Sequence, residues 1–211
     1  MPEQVPLFLA PMSGVTDVAY RLLAREAGAD FTSTEFTAAS GLSRQDAKSW
    51  AKVETHARES PFIPQIFGGI EDEMVETARL LSKNADVIDL NFGCPAPKVT
   101  KTCAGAAMMA EPDNLVSMVE RCMDASTVPI SVKMRLGTSQ NDLTVLEIAE
   151  RCADLGVLRI GVNGRTLAQK YRGVADWDLI RKVVEITEPY GVPVIANGDI
   201  VDASSAARCL E

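Results

Sequence analysis

Apolar and polar positions along the chain follow two alternating rhythms. Short apolar runs recur at VPLFLAP (5–11), ADFTSTEF (29–36), PFIPQIFG (61–68), ADVIDLNF (85–92), VPISVKMR (128–135), VLRIGVN (157–163) and VPVIANG (192–198). Each is a short apolar run of seven or eight residues, which predicts a strand. Between them lie stretches with helical periodicity: DVAYRLLAREAG (17–28), EDEMVETARLLSKN (71–84), PDNLVSMVERCMDAS (112–126), DLTVLEIAERCADLG (142–156) and DWDLIRKVVEITEPYG (176–191). Several open on Asp, Glu or Pro and close on Gly or Asn, the expected start and stop punctuation of helices. Strand and helix in alternation predict βαβ units and a parallel sheet. The strands are too apolar to be half-exposed, as expected where helices cover the sheet.

Seven such units fit either a doubly wound sheet or an incomplete (β/α)8 barrel. The placement of unusual residues chooses between them. They fall just past one strand after another: Pro11 to Gly14, Glu35, Gln65, Asn91 to Cys94, Lys133 and Arg135, Asn163 to Arg165, and Asn197 to Asp199. A barrel brings all these ends to one mouth. A doubly wound sheet gathers its ligand residues at one switch point, usually behind a GxGxxG turn, which this chain lacks. The expectation is therefore a single TIM-type α/β barrel domain over residues 1–211, incomplete at its end. DASSAARCLE (202–211) reads as a seventh helix, and an eighth strand is missing.

Length and composition add bounds. With 46% hydrophobic and 24% charged residues, the chain has the profile of a soluble globular protein, and no apolar run reaches a membrane span. The N-terminus MPEQVPLFLAPM has no basic region ahead of an apolar one, so no signal peptide is read. The five cysteines, an odd number, form no CxxC pair and no zinc spacing. They read as free thiols in a reducing cytoplasm, and no metal site is expected. The net charge of −8 argues against a nucleic-acid partner unless positive charge gathers locally. Lys98, Lys101, Lys133, Arg135, Arg165, Lys170 and Arg172 all follow strands and are expected to give an acidic body a basic mouth.

Cys94 is the first candidate for chemistry. It leaves the apolar strand between Gly93 and Pro95, on a stiff turn expected to hold it partly exposed. That setting fits a reactive thiol and, on its own, a structural one equally. Cys122 and Cys152 sit on apolar helix faces and read as core, Cys103 as packing, and Trp50 and Trp177 as packing anchors. His56, the one histidine, lies in a polar stretch and reads as a solvated loop residue, which leaves no histidine-based triad. Glu35 suits either a substrate contact or a loop cap.

Taken in order, the strand-end motifs resemble the tRNA-dihydrouridine synthases. The matching pieces are LAPMSGVTD (9–17), PQIFG (64–68), DLNFGCPAPKV (89–99) with AGAAMM (104–109), VKMRLG (132–137), NGRTLAQKYRGVADWDLI (163–180) and VIANGDI (194–200). They span essentially the whole chain. NxGCPxxKV and GRTxxQxYxGxADW are specific. The short pieces recur in other flavin barrels, so a dihydroorotate- or dihydropyrimidine dehydrogenase-like enzyme is the alternative, with an inactive truncated remnant as another.

The resemblance implies a flavin barrel followed by a small helical domain, FMN as prosthetic group, NADPH as reductant, and reduction of a tRNA uridine to 5,6-dihydrouridine. It makes Cys94 the proton donor to C5 while the flavin delivers hydride to C6. Lys133 becomes the lysine that stabilises the reduced flavin. Gln65 would meet the pyrimidine edge of the flavin. Pro11, Met12 and Ser13 would lie along its ring, and Asn91 would hold flavin or uridine. Asn197, Gly198 and Asp199 would cradle its phosphate, as loops after late barrel strands commonly do. Lys98, Arg135 and Arg165 would bind the substrate. Asn163 stands where the family usually has histidine; an amide replaces one imidazole hydrogen bond but does not titrate. The intact family is monomeric, whereas an open barrel exposes strand edges that favour self-association.

Overall fold

The computed structural model describes residues 5–211; Met1 to Gln4, part of the stretch read for a signal peptide, lie outside the described residues. Among the described residues, eight short strands and nine α-helices follow one another along the chain. Six strands form one parallel sheet in sequence order: β3 (Phe36–Ala38), β4 (Gln65–Phe67), β5 (Ile88–Phe92), β6 (Ile130–Met134), β7 (Ile160–Asn163) and β8 (Val194–Asn197). A second parallel pair joins β1 (Phe8–Leu9) to β2 (Phe31–Thr32). Among the described residues β1 pairs only with β2 and β8 only with β7, so the barrel is not closed.

The run 29–36, expected as one strand, is two. Phe31–Thr32 pairs with β1, while Phe36 pairs with Gln65 of β4. At the break the Thr34 hydroxyl receives the Gln65 N–H (3.0 Å) and donates to the Glu35 carbonyl (2.9 Å). A side chain that serves the backbone in this way displaces a regular ladder.

The main helices are α1 (Val18–Glu26), α4 (Glu71–Leu81), α6 (Pro112–Ala125), α7 (Val145–Asp154), α8 (Trp177–Thr187) and α9 (Ala203–Leu210). Asp17, Asp176 and Asp202 accept N–H groups of the first turns of α1, α8 and α9, and Pro112 opens α6. Two short helices between β3 and β4, α2 (Ala39–Ser43) and α3 (Ala47–Trp50), and one after β5, α5 (Pro97–Thr100), carried no signal in the hydrophobic pattern.

The core lies between sheet and helices. Ile88, Leu90 and Phe92 of β5, Val132 and Met134 of β6 and Ile160 and Val162 of β7 are fully buried against the helices. Cys122 and Cys152 belong to this core, where burial pushes both thiols up to about 12. Trp50 and Trp177 pack against its margin, as expected.

The intervening positions of the same strands, Asp89, Asn91, Ser131 and Lys133, are polar. The registers pair Asp89 with Ser131 and Asn91 with Lys133. Alternation along each strand therefore places a polar column opposite the helix-facing core.

Candidate active site

At the centre of that column Asp89 accepts from Gln65 Nε2 (2.6 Å) and from Ser131 Oγ (2.5 Å). Gln65 Oε1 accepts from Asn91 Nδ2 (2.7 Å). Asn91 Oδ1 in turn receives the N–H groups of Gly93 (3.1 Å) and Cys94 (2.9 Å), which sets the turn after β5. Gln65, predicted as a flavin contact, is wholly buried inside this network, and its side chain bonds Asp89 and Asn91.

Cys94 differs from expectation: it is 6% exposed, not partly open. The segment that follows folds back over it, with Val99 and Ala104 packed against the thiol residue and Phe36 and Phe67 beside them. Gly105 sits at φ +59°, and a Cβ there would lie 2.8 Å from the Cys94 carbonyl, so glycine permits the fold-back. Burial raises the thiol above its ordinary range, opposed by the Ala96 N–H and by the nearby charges of Arg135, Lys98 and Lys133. Cys103, expected to pack, is exposed instead, because its residue occupies the αL turn (φ 52°) ahead of the returning segment.

Lys133 lies near the end of β6, beside Asn91. Its Nζ donates to Asn197 Oδ1 (2.9 Å), which also accepts from Asn163 Nδ2 (2.9 Å). Burial lowers the ammonium to about 8, with Asp89 opposing the shift. Asn163 Oδ1 is buried with no partner. A cavity of about 50 Å³ lies beside Lys133 and Asn197, lined also by Ala10, Pro11 and Gly161 among others. Arg159, which gave no signal in the motifs, also lines it. Its guanidinium stacks 5.3 Å from the Phe8 ring centroid.

Pro11 is half-buried at this cavity, and Met12 and Ser13 lie exposed on the turn beyond. The turn is closed by Thr16, whose hydroxyl bonds Met12 N and O, each at 3.1 Å. Glu35 is a cap: it accepts the Gly14 N–H at 2.6 Å.

The expected basic mouth divides. Lys98, Lys101, Lys170 and Arg172 are exposed, whereas Arg135 and Arg165 are buried. Arg165 donates to both carboxylate oxygens of Asp199 (2.7 and 2.8 Å) and to the carbonyls of Arg172 and Gly173. Asp199, at φ 60°, is held below the usual carboxylate range by the Ala175 N–H and then by Arg165. Gly198, between Asn197 and Asp199, has φ +113° and its carbonyl accepts from Trp177 Nε1 at 3.0 Å. His56 is exposed, as expected. Among the described residues no cluster of His, Cys, Asp and Glu could hold a metal ion, and no helix is long and apolar enough to cross a membrane.

The structure thus gathers Pro11, Gln65, Asn91, Cys94, Lys133, Asn163 and Asn197 around the strand ends. A solved nitroalkane oxidase from Streptomyces ansochromogenes superposes over 98% of this chain and 62% of its own, with a TM-score of 0.54 and 16% identity, a likeness of fold. A curated protein of Rhizobium leguminosarum bv. phaseoli, named "Probable tRNA-dihydrouridine synthase", is 40% identical over 203 residues, covering 96% of this chain and 63% of the relative. The "tRNA-dihydrouridine synthase B" of Pasteurella multocida is 33% identical over 206 residues, 97% of this chain and 61% of its own. This chain therefore spans less than two thirds of the length of these relatives. The model of the family described as dihydrouridine synthase matches residues 8–211, nearly the whole sequence, and the chain belongs to that family.

Proposed function

We propose that this chain is the flavin-barrel part of a tRNA-dihydrouridine synthase, which reduces the C5=C6 bond of a tRNA uridine with FMN as prosthetic group and NADPH as reductant. The observation that carries the reading is the pairing of two groups at adjacent strand ends. An ammonium, Lys133, lies in register with Asn91, three residues before a protonated thiol, Cys94. The residues fit a flavin in kind. Lys133 has a neutral amide as its hydrogen-bond partner and so retains a positive charge for an electron-rich ring. Asn163 Oδ1 is a buried acceptor with no hydrogen-bond partner within the chain, and, beside Lys133 and Asn197, Pro11 and Ala10 give the cavity an apolar wall. The enclosed volume is much smaller than the roughly 300–1,000 Å³ of a complete small-molecule site, so a ring system would lie largely over the open strand ends.

FMN, when bound and reduced, supplies the hydride that adds to uracil C6. The chain's own residues do the rest. Cys94 carries its proton at neutral pH because burial raises the thiol, and it gives that proton to C5. Asn91 fixes the turn so that the thiol keeps its place. Lys133, titrating near 8, is charged at pH 7 and offsets negative charge at the cofactor. Lys98, Lys101, Lys170 and Arg172 offer exposed cations to the tRNA phosphates despite the negative total.

The test is Cys94→Ala. The purified variant is expected to keep its flavin absorbance and to form no dihydrouridine in tRNA, read by mass spectrometry of the nucleosides. Wild-type product levels from the alanine variant would overturn the assignment of the acid.

A further inference from the structure

Arg135 follows directly after β6 and is 3% exposed. Its donors go to backbone carbonyls of two separate segments. Nε donates to Gly93 O at 2.8 Å. Nη1 donates to Thr166 O at 3.0 Å and Lys170 O at 2.8 Å. Its carbon Cζ lies 5.9 Å from the centroid of Tyr171, a ring residue 81% exposed at the tip of the same loop.

Gly93 O belongs to the peptide that joins Gly93 to Cys94. The N–H groups on either side of Gly93 are already held by Asn91 Oδ1. The turn that carries the thiol is therefore pinned at its donors by Asn91 and at its acceptor by Arg135. The loop after β7 is pinned elsewhere too: Leu167 N bonds Gly137 O (2.9 Å), Ala168 N bonds Thr138 O (2.9 Å), and Gln169 Oε1 accepts from Thr166 N (2.8 Å). The guanidinium is thus a bridge between two segments that are each held by hydrogen bonds of their own, and its planar fork is what allows one side chain to reach both.

We propose that Arg135 is a positioning residue that ties the Cys94 turn to the loop 166–173, so that pressure on the exposed Tyr171 tip is felt at the thiol. The functional meaning rests on Cys94 as the acid. The tie itself is a property of the unliganded chain and is tested without product formation.

Arg135→Lys separates position from charge, since lysine keeps the cation but cannot span both carbonyl sets. The measurement is the pH profile of Cys94 alkylation by iodoacetamide, resolved by mass spectrometry, with Cys103 as the exposed reference and Cys122 and Cys152 as reporters of an intact core. The expected result is a limiting alkylation rate at Cys94 at least tenfold above wild type, with the midpoint of its pH profile unmoved. Amide exchange over 166–173 is expected to quicken by a similar factor. Arg135→Met is expected to show the same rise and to move the midpoint upward, because the positive charge is gone. Gln169→Ala loosens the loop from its far side without touching the core, and is expected to raise the Cys94 rate severalfold through the same tie. Changes under twofold in both Arg135→Lys and Gln169→Ala overturn the inference. So does a rise at Cys94 matched by equal rises at Cys122 and Cys152. Neither outcome bears on whether Cys94 is the acid, which the tRNA assay decides separately.

Discussion

Arg21 gives the sharpest energetic prediction. It is wholly buried, as is Glu59, its partner across 38 residues of sequence. The guanidinium bonds Glu59 through Nε and through Nη2 (2.8 Å), and also bonds the carbonyls of Thr16 (2.8 Å) and Glu54 (2.7 Å). Glu59 further accepts from Thr32 (3.3 Å) and Thr55 (2.9 Å). One ion pair thus knits the β1–β2 pair and α1 to the segment before β4. Arg21→Met leaves a buried carboxylate with no counter-charge, a loss of about 3–5 kcal/mol. At the roughly 2–4 °C per kcal/mol of a domain this size, Tm falls by roughly 6–20 °C. Adding Glu59→Leu removes the orphaned charge and is expected to recover most of the loss. About 1–2 kcal/mol remains for the two carbonyls left without a donor. Urea unfolding of wild type, both single variants and the double variant closes the cycle. Because Arg21 holds the Thr16 carbonyl and Thr16 closes the turn on Met12, flavin affinity should weaken in the single variant too. A loss under about 1 kcal/mol for Arg21→Met, or strict additivity in the double variant, would refute the reasoning.

Lys133 titrates near 8 in the folded chain against 10.5 unfolded, so the unfolded chain binds more protons between those values and this group's contribution to stability rises with pH across that window. Lys133→Met should therefore be more stable than wild type at pH 7 by about 1–3 kcal/mol, with the gap closing towards pH 10 in urea titrations. Gly137 sits at φ +146°, and a Cβ there would lie 2.0 Å from the Asp142 carbonyl. Gly137→Ala should cost about 2 kcal/mol or more in the same assay. Asn163→His replaces an amide whose buried oxygen has no partner and is expected to tighten flavin binding, measured by quenching of flavin fluorescence; weaker binding in a folded variant would show that the site is fitted to asparagine.

The pattern of apolar positions by itself determined the βα order, the main helices and the caps at Asp17, Asp176 and Asp202. Those are local properties: a period of two or of about 3.6 residues and a side chain that reaches a nearby N–H. The strand-end motifs likewise pointed to Gln65, Asn91, Lys133, Asn163 and Asn197, which lie near one another because neighbouring parallel strands run the same way. Hydrogen-bond partners were decided by the tertiary structure, because they come from distant segments. Nothing in VKMRLG tells whether Arg135 faces a phosphate or three carbonyls 31 to 42 residues away. Nothing around Glu35 says that it caps Gly14, and Gly93 and Pro95 do not reveal that Val99 and Ala104 return to bury Cys94. Arg21 and Glu59 match no motif at all. Their pairing follows from burial, since a charge carried into the core must meet its opposite there, and where that opposite lies in the chain is set only once the segments have packed.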